Sequence, residues 1–117
     1  MTTEVAAAVP ALRIEVADGG EGVVVVRVAG ELDTAAAPAL CGALDDVLAR
    51  PGGRACVVDL TGVTFLDCAG LHPVLRARAA ACRSGRTLTV HGGTDRAVGR
   101  LLELAGVQDV LAPRVAG

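Results

Sequence analysis

The sequence predicts a single α/β domain in which helices pack over one mixed β-sheet. A chain of 117 residues is the usual size of one domain. Its first part shows the two-residue periodicity of strands, and from Asp33 onward helical periodicity alternates with short apolar runs. No repeat, linker or low-complexity block divides the chain. We therefore expect one domain with the element order β-β-α-β-α-β-α.

The chain opens with a predicted hairpin. Residues 1–10 show no strand or helix pattern and are expected to be a flexible N-terminal tail, so that the domain covers residues 11–117. Apolar and polar residues alternate from Leu12 to Ala17, which predicts a strand with one solvated face. The glycine-rich turn Asp18–Gly22 then leads into the β-branched run Val23–Ala29, which predicts a second strand.

A first helix is predicted after the second strand. Apolar residues there recur about every 3.6 positions and form one stripe, Ala37, Leu40, Cys41, Leu44, Val47 and Leu48. Pro38 is accommodated only in the first turn of a helix, and Asp33 and Thr34 can cap the backbone that precedes it. The helix ends at Pro51-Gly52-Gly53.

The rest of the chain continues the alternation. Residues 54–60 are an apolar run ending in an acid, typical of a central strand that is buried on both faces. A second helix is expected from Asp67 to Gly85, followed by a strand over residues 86–90. Thr94 can cap a third helix that Gly106 closes, and residues 107–111 form either a short final strand or a turn.

Composition argues against nucleic acid and membranes as partners. The net charge is −2, the basic residues are all arginine and scattered, and Phe65 is the only aromatic residue. Nucleic-acid surfaces cluster their basic charge and use aromatic rings to stack bases. Residues 1–10 have no basic residue ahead of their alanines and no long apolar run, so we expect neither a signal peptide nor a membrane span. The prediction is a cytoplasmic protein.

The sequence contains no recognisable enzyme signature. GxSxG, GxxxxGK[ST] and HExxH motifs are absent, and the four cysteines make no CxxC pair. We therefore expect no enzymatic activity, no metal and no cofactor. One alternative stays open, because His72 follows Cys68 at i+4 and both could share a helical face as a Cys-His pair or half a metal site. Pro73 argues against a regular helix there, and the simpler interpretation is a solvent-facing His72.

The most informative segment is Asp59–Leu71, DLTGVTFLDCAGL. A buried strand ends in an acid, a polar turn follows, and an apolar step through Phe65 re-enters the core. Asp67 then starts a helix as its N-cap, with Gly70 allowing a close backbone approach. This pattern predicts a helix whose first backbone N–H groups point outward.

This segment resembles the D-L-S-x-V-x-F-[ML]-D-S-[ST]-G-L signature of STAS domains in bacterial anti-sigma factor antagonists. Gly30-Glu31-Leu32-Asp33 with Ala37-Pro38-Ala39-Leu40 resembles the same family's G-E-L-D-x-x-x-A-P-x-L motif. The likeness runs from about Leu12 to Leu111 and includes the spacing of Val98, Leu101, Leu102, Gly106 and Val107.

The resemblance implies a STAS-like domain that binds an anti-sigma factor, itself a serine kinase-like protein, and so frees a sigma factor to regulate transcription. It places the docking surface on Asp33, Thr34, Asp67, Cys68, Ala69, Gly70, Leu71 and His72. The chain itself is expected to be a monomer or a weak homodimer. An alternative is a STAS module acting as a subunit of a transporter, lipid-transport or other signalling complex.

The chain departs from the family pattern at the regulatory position. In the family the kinase phosphorylates the serine directly after the motif's second Asp, and here that position is Cys68. The next hydroxyl position is Ala69, so neither acceptor oxygen is present. We therefore expect the usual serine phosphoswitch to be missing. A third alternative is an enzymatic or redox-sensing role for Cys68 at the helix N-terminus.

Overall fold

The computed structural model describes residues 3–9, 11–92, 96, 98 and 100. Within that part of the chain it contains five strands and two helices that form one α/β domain. The elements are β1 (Thr3–Val9), β2 (Leu12–Gly20), β3 (Val23–Leu32), α1 (Ala37–Leu48), β4 (Ala55–Leu66), α2 (Cys68–Arg83) and β5 (Thr87–His91). The predicted fold class, a mixed sheet with helices packed over it, is confirmed.

The sheet has the strand order β1-β2-β3-β4-β5. β1, β2 and β3 pair in antiparallel fashion, whereas β3, β4 and β5 are parallel. Parallel neighbours require a crossover connection, and α1 and α2 provide the two crossovers. The carboxyl ends of β3 and β4 therefore lie side by side, each leading towards the start of a helix.

The N-terminal segment is not the flexible tail that was predicted. Residues 3–9 form β1, which pairs with β2 along the sheet edge. Glu4 adds an ion pair to Arg50, with 3.3 Å between Oε1 and Nη2. Alanine-rich segments have little strand preference of their own, so the pattern of this segment did not reveal it. Residues 3–9 become a strand because they hydrogen-bond to the otherwise unpaired edge of β2.

Small aliphatic side chains form the core between the helices and one face of the sheet. Both helices contribute to it, and the predicted α1 stripe is confirmed by the buried Leu40, Leu44 and Val47, whereas Cys41 is half-buried. The sheet contributes Ile14, Val16, Val26, Val28, Val58, Leu60, Leu88 and Val90. No described helix is both long enough and apolar enough to serve as a membrane span.

Only part of the predicted third helix lies among the described residues. Residues 96, 98 and 100 are helical, and Val98 is buried in the common core. The predicted cap Thr94, the closing Gly106 and residues 107–111 lie outside the described residues.

The fourth strand is longer than predicted. The expected turn at Thr61-Gly62 is absent, and β4 runs on to Leu66 because β3 continues beside it as far as Leu32. The register between the two strands shifts twice, so that β4 accommodates extra residues as bulges. A polar stretch containing glycine resembles a turn in sequence, whereas here it is the bulged part of a strand.

The second helix is also more regular than predicted. α2 continues through Pro73, which is buried in its interior. Proline removes one N–H from the helix hydrogen bonds, a defect that usually kinks or ends a helix. Here Leu71 and Val74, on either side of Pro73 along the chain, are anchored in the core, and this packing carries the helix past the defect.

Candidate protein-docking site

The two family-like motifs meet at one end of the sheet. Leu32, the last residue of β3, lies opposite Leu66, the last residue of β4, and Glu31 lies opposite Phe65. The turn that precedes α1 and the start of α2 follow directly from these two strand ends. Parallel pairing therefore brings together two segments that are far apart in the sequence.

Asp33 organises the turn before α1. Its Oδ1 accepts a hydrogen bond from the backbone N–H of Ala36 at 3.0 Å, and its carbonyl accepts from the N–H groups of Ala36 and Ala37. The N-cap of α1 is Ala36, which makes no side-chain capping bond. Asp33 therefore closes the turn ahead of the helix, consistent with the predicted capping of the preceding backbone. Thr34 is exposed in the middle of this turn.

Asp67 is the N-cap of α2, as predicted. Its backbone is extended, and its Oδ1 accepts from the backbone N–H of Gly70 at 2.7 Å. The close approach predicted for Gly70 is also confirmed, because a Cβ at this position would overlap the carbonyl oxygen of Leu32. The contact fixes the first turn of α2 against the end of β3.

The predicted site residues divide into exposed and buried groups. Thr34, Cys68, Ala69 and His72 are exposed, and Asp33 and Asp67 are half-buried. Gly70 is buried and Leu71 is only 2% exposed, with its side chain in the core. Gly70 and Leu71 therefore position the surface in the free domain, while the other six residues line it.

Phe65 is exposed at the same end of the sheet, although the sequence pattern placed it in the core. Its side chain is 48% exposed, while Val63 is buried as expected. In a regular strand residues 63 and 65 would face the same side, but the second register shift of β4 falls between them. The bulge therefore turns the only aromatic ring of the chain towards solvent. No signal within this segment could have revealed the change, because the register of β4 depends on its pairing with β3.

The surface around Phe65 is acidic. Glu31 is exposed, and the half-buried carboxylates of Asp33 and Asp67 lie in the adjoining turns. A partly exposed aromatic ring with acidic neighbours is suited to a protein partner that offers an apolar contact and basic groups.

Cys68 and His72 do share one exposed face of the first turns of α2. The Asp67 Oδ1 atom beside them is occupied by its bond to Gly70. Among the described residues, no group of three potential metal ligands forms. A cavity of about 350 Å³ lies at the other end of the sheet, lined in part by Gly22, Gly52 and Cys56, and contains none of the predicted site residues.

Comparison with known proteins identifies the family. The family described as "Mlab, STAS domain" matches residues 16–113, most of the chain. The chain belongs to the STAS domain family. A search of curated proteins finds no match to this STAS domain.

Solved structures with a similar fold include anti-sigma factor antagonists. The crystal structure of an anti-sigma factor antagonist from Mycobacterium paratuberculosis has a TM-score of 0.73 and 29% identity, over 88% of this chain and 87% of that one. The anti-sigma factor antagonist SpoIIAA in its unphosphorylated form has a TM-score of 0.70 and 16% identity, over 81% and 82% of the two chains.

A transporter-related protein has the same fold. The structure of a sulfate transporter family protein from Wolinella succinogenes has a TM-score of 0.62 and 22% identity, over 78% of this chain and 72% of that one. At this identity the likeness concerns the fold alone. The STAS architecture is thus shared by proteins with different tasks.

Proposed function

We propose that this STAS domain is an anti-sigma factor antagonist that acts in the bacterial cytoplasm by binding a serine kinase-like anti-sigma factor, which frees a sigma factor for transcription. The observation that carries the proposal is the convergence of the Asp33 turn and the Asp67 helix start at one exposed surface. The two segments carry both family-like motifs and lie side by side through the pairing of Leu32 with Leu66.

The chemistry of the surface supports protein binding. Binding energy at protein interfaces is concentrated in a few residues, often aromatic, and surrounding charges select the partner and accelerate association. Phe65 is a candidate for such a central contact, with Thr34, Cys68 and His72 exposed on the adjoining elements. The carboxylates of Asp33 and Asp67 favour a partner with basic groups facing them.

The antagonist lacks the serine phosphoswitch in this proposal. Cys68 is exposed at the first position of α2, where the family resemblance places the phosphorylated serine. A thiol does not replace the hydroxyl as acceptor for a serine kinase, and Ala69 offers only a methyl group. Binding is therefore not ended by phosphorylation at this position.

A second candidate function is that of a subunit in a transporter or lipid-transport complex. The fold shared with a sulfate transporter family protein favours it. The two functions differ in the partner, because one requires a soluble kinase-like protein and the other a membrane-associated assembly.

The decisive experiment measures binding to purified kinase-like anti-sigma factors from the same organism, by isothermal titration calorimetry. We expect a complex, and release of sigma factor when the STAS domain is added to a sigma–anti-sigma complex. Asp33→Asn removes a charge but keeps most of the capping capacity, so it should weaken binding with little change in melting temperature. Failure of every such protein to bind, with capture of transporter or lipid-transport subunits instead, would favour the second function.

A further inference from the structure

The face of the sheet turned away from α1 and α2 carries a row of charged residues beside a group of apolar residues. Successive side chains of a strand point to opposite faces, and the helix side carries the buried core residues. No described helix covers the other side, which we call the open face. It is formed by Arg13, Glu15, Ala17, Val23, Val25, Arg27, Ala29, Ala55, Val57, Asp59, Thr61, Thr89 and His91. Glu15 Oε2 is paired within β2 to Arg13 Nε at 2.8 Å.

A row of charged groups crosses the open face. Glu15 lies opposite Arg27, Arg27 opposite Asp59, and Asp59 opposite His91, so the row spans four neighbouring strands. Arg27 Nε is 3.9 Å from Asp59 Oδ2, and the two side chains are 55% and 22% exposed. The groups alternate as acid, base, acid and imidazole from β2 to β5.

The adjoining part of the open face is apolar. Val25 lies opposite Val57, and Val23 lies opposite Ala55. All four are half-buried, so their outer surfaces still meet solvent. An exposed apolar patch beside charged groups is typical of a surface that associates with another protein.

The charged row and the apolar patch of one open face are complementary to those of a second, identical open face. A second copy can face the first across a two-fold axis that runs parallel to the strands, above the midpoint between β3 and β4. In this arrangement β3 of one copy lies over β4 of the other, and β2 lies over β5. Two open faces related by this axis place Arg27 of each copy over Asp59 of the other, and Glu15 over His91. The apolar residues also meet, Val25 over Val57 and Val23 over Ala55.

We propose that the open face is a homodimer interface, on which a second copy of this chain packs sheet against sheet. Aligned sheets pack about 10 Å apart with a modest rotation that follows their twist, a geometry that Arg side chains can bridge. Four strands cover roughly 300 Å² per copy at ordinary strand spacing. Such a small interface belongs to a weak dimer that depends on concentration. Its partner is chemically this chain itself, because Arg27 meets Asp59 across the interface and the four apolar residues of β3 and β4 meet one another.

The proposed interface and the anti-sigma factor docking site occupy different places. Phe65 alternates with the core-packed Leu66 and so faces the open side, but it lies beyond the charged row, at the carboxyl end of β4. α2, which carries Cys68, Ala69 and His72 of the docking site, lies on the other side of the sheet. A dimer therefore presents two α2 helices on its outer surfaces. Loss of dimerisation and loss of partner binding can be measured separately.

The test uses two charge-reversal variants, Arg27→Asp and Asp59→Arg. Each alone places like charges across the interface, so sedimentation velocity should show a dimer dissociation constant raised at least about tenfold over the wild type. Mixing equal amounts of the two should restore the dimer, because both interface contacts between an Arg27→Asp chain and an Asp59→Arg chain join opposite charges. The repulsion within each chain is unchanged by mixing, so rescue isolates the contact between copies.

Arg83→Asp serves as the control, because Arg83 is exposed at the end of α2, and it should sediment like the wild type. Melting temperatures establish that each variant is folded. If either reversal fails to fold, the milder pair Arg27→Gln and Asp59→Asn should still raise the dissociation constant. A wild type that stays monomeric at every concentration means that a different segment or protein covers the open face, and overturns the proposal. A mixture that remains monomeric overturns it as well.

Discussion

Gly70, in the first turn of α2, lies directly against the carbonyl group of Leu32 at the end of β3. A Cβ added to Gly70 would overlap the carbonyl oxygen and also crowd the Leu32 side chain. The same glycine donates its N–H to Asp67 Oδ1. One backbone position thus joins the helix cap to the neighbouring strand and sets the distance between the two halves of the proposed docking site.

Gly70→Ala should destabilise the domain by about 2–3 kcal/mol, because the methyl group meets backbone atoms that cannot rotate away. The melting temperature is expected to fall by roughly 10 °C or more. Gly42→Ala is the matched control, since Gly42 lies in α1 with open space around its Cβ position. That change should raise stability by about 0.5–1 kcal/mol. Equal melting temperatures for the two variants would refute the close contact at Gly70.

Phe65→Ala should weaken binding to the anti-sigma factor at least about tenfold while leaving the melting temperature nearly unchanged. The ring is about half exposed, so its removal costs the free domain little, whereas a partner would bury the rest of it. Val5→Ala is a matched control, because Val5 is 49% exposed on β1, at the far edge of the sheet from β4. Calorimetric titration compares the two. Unchanged affinity of Phe65→Ala would exclude the ring from the interface.

Cys68→Ser should create a phosphorylation site that the wild type lacks. The change supplies a hydroxyl at the exposed first position of α2. Incubation with the cognate kinase and ATP, followed by intact-mass measurement, should show one phosphoryl group on the variant and none on the wild type. The added charge of about −1.5 to −2 beside Asp67 should then reduce binding.

Two outcomes would contradict this expectation in different ways. A stable phosphate on the wild type within residues 59–72 would show that another group accepts it, and the exposed Thr61 and Thr64 are the nearest hydroxyls in sequence. A Cys68→Ser variant that binds the kinase but stays unmodified would show that the surface has lost more than the hydroxyl. Cys82→Ser, which changes another exposed thiol of α2, is the control.

Cys56 should make the folded domain sensitive to alkaline pH. Burial raises the pKa of its thiol from 9.0 to about 11, because the thiolate is poorly solvated in the core. The unfolded chain releases this proton near pH 9 while the folded chain holds it. The contribution of this thiol to the free energy of unfolding is therefore fully present below pH 9. It falls by roughly 2–3 kcal/mol as the pH rises to about 11. Urea unfolding at several pH values measures the loss.

Cys56→Ala should remove this part of the pH dependence. The smaller side chain should also lower the free energy of unfolding by the same amount at every pH. A thiol reagent at neutral pH provides an independent check. Cys68 and Cys82 are exposed and should react in the native state, whereas Cys56 should react only after unfolding. A wild type and a Cys56→Ala variant with the same alkaline slope would rule out the buried thiol as its source.

Local sequence determined the elements whose signals lie within one segment. The alternation over β2, the helical spacing of Leu40, Leu44 and Val47, and the cap at Asp67 were all predictable, because each depends on near neighbours in the chain. The two motifs also predicted the family, and strand pairing brings the two motif segments together at one end of the sheet.

Tertiary structure decided the remaining features. β1 is a strand because it pairs with the edge of β2. β4 continues as a strand through Thr61-Gly62 because β3 pairs with it there. The resulting bulges turn Phe65 outwards. The complementary rows of the open face likewise arise from strand register. Register is set by hydrogen bonds between segments that are distant in sequence, so periodicity within any one segment does not contain it.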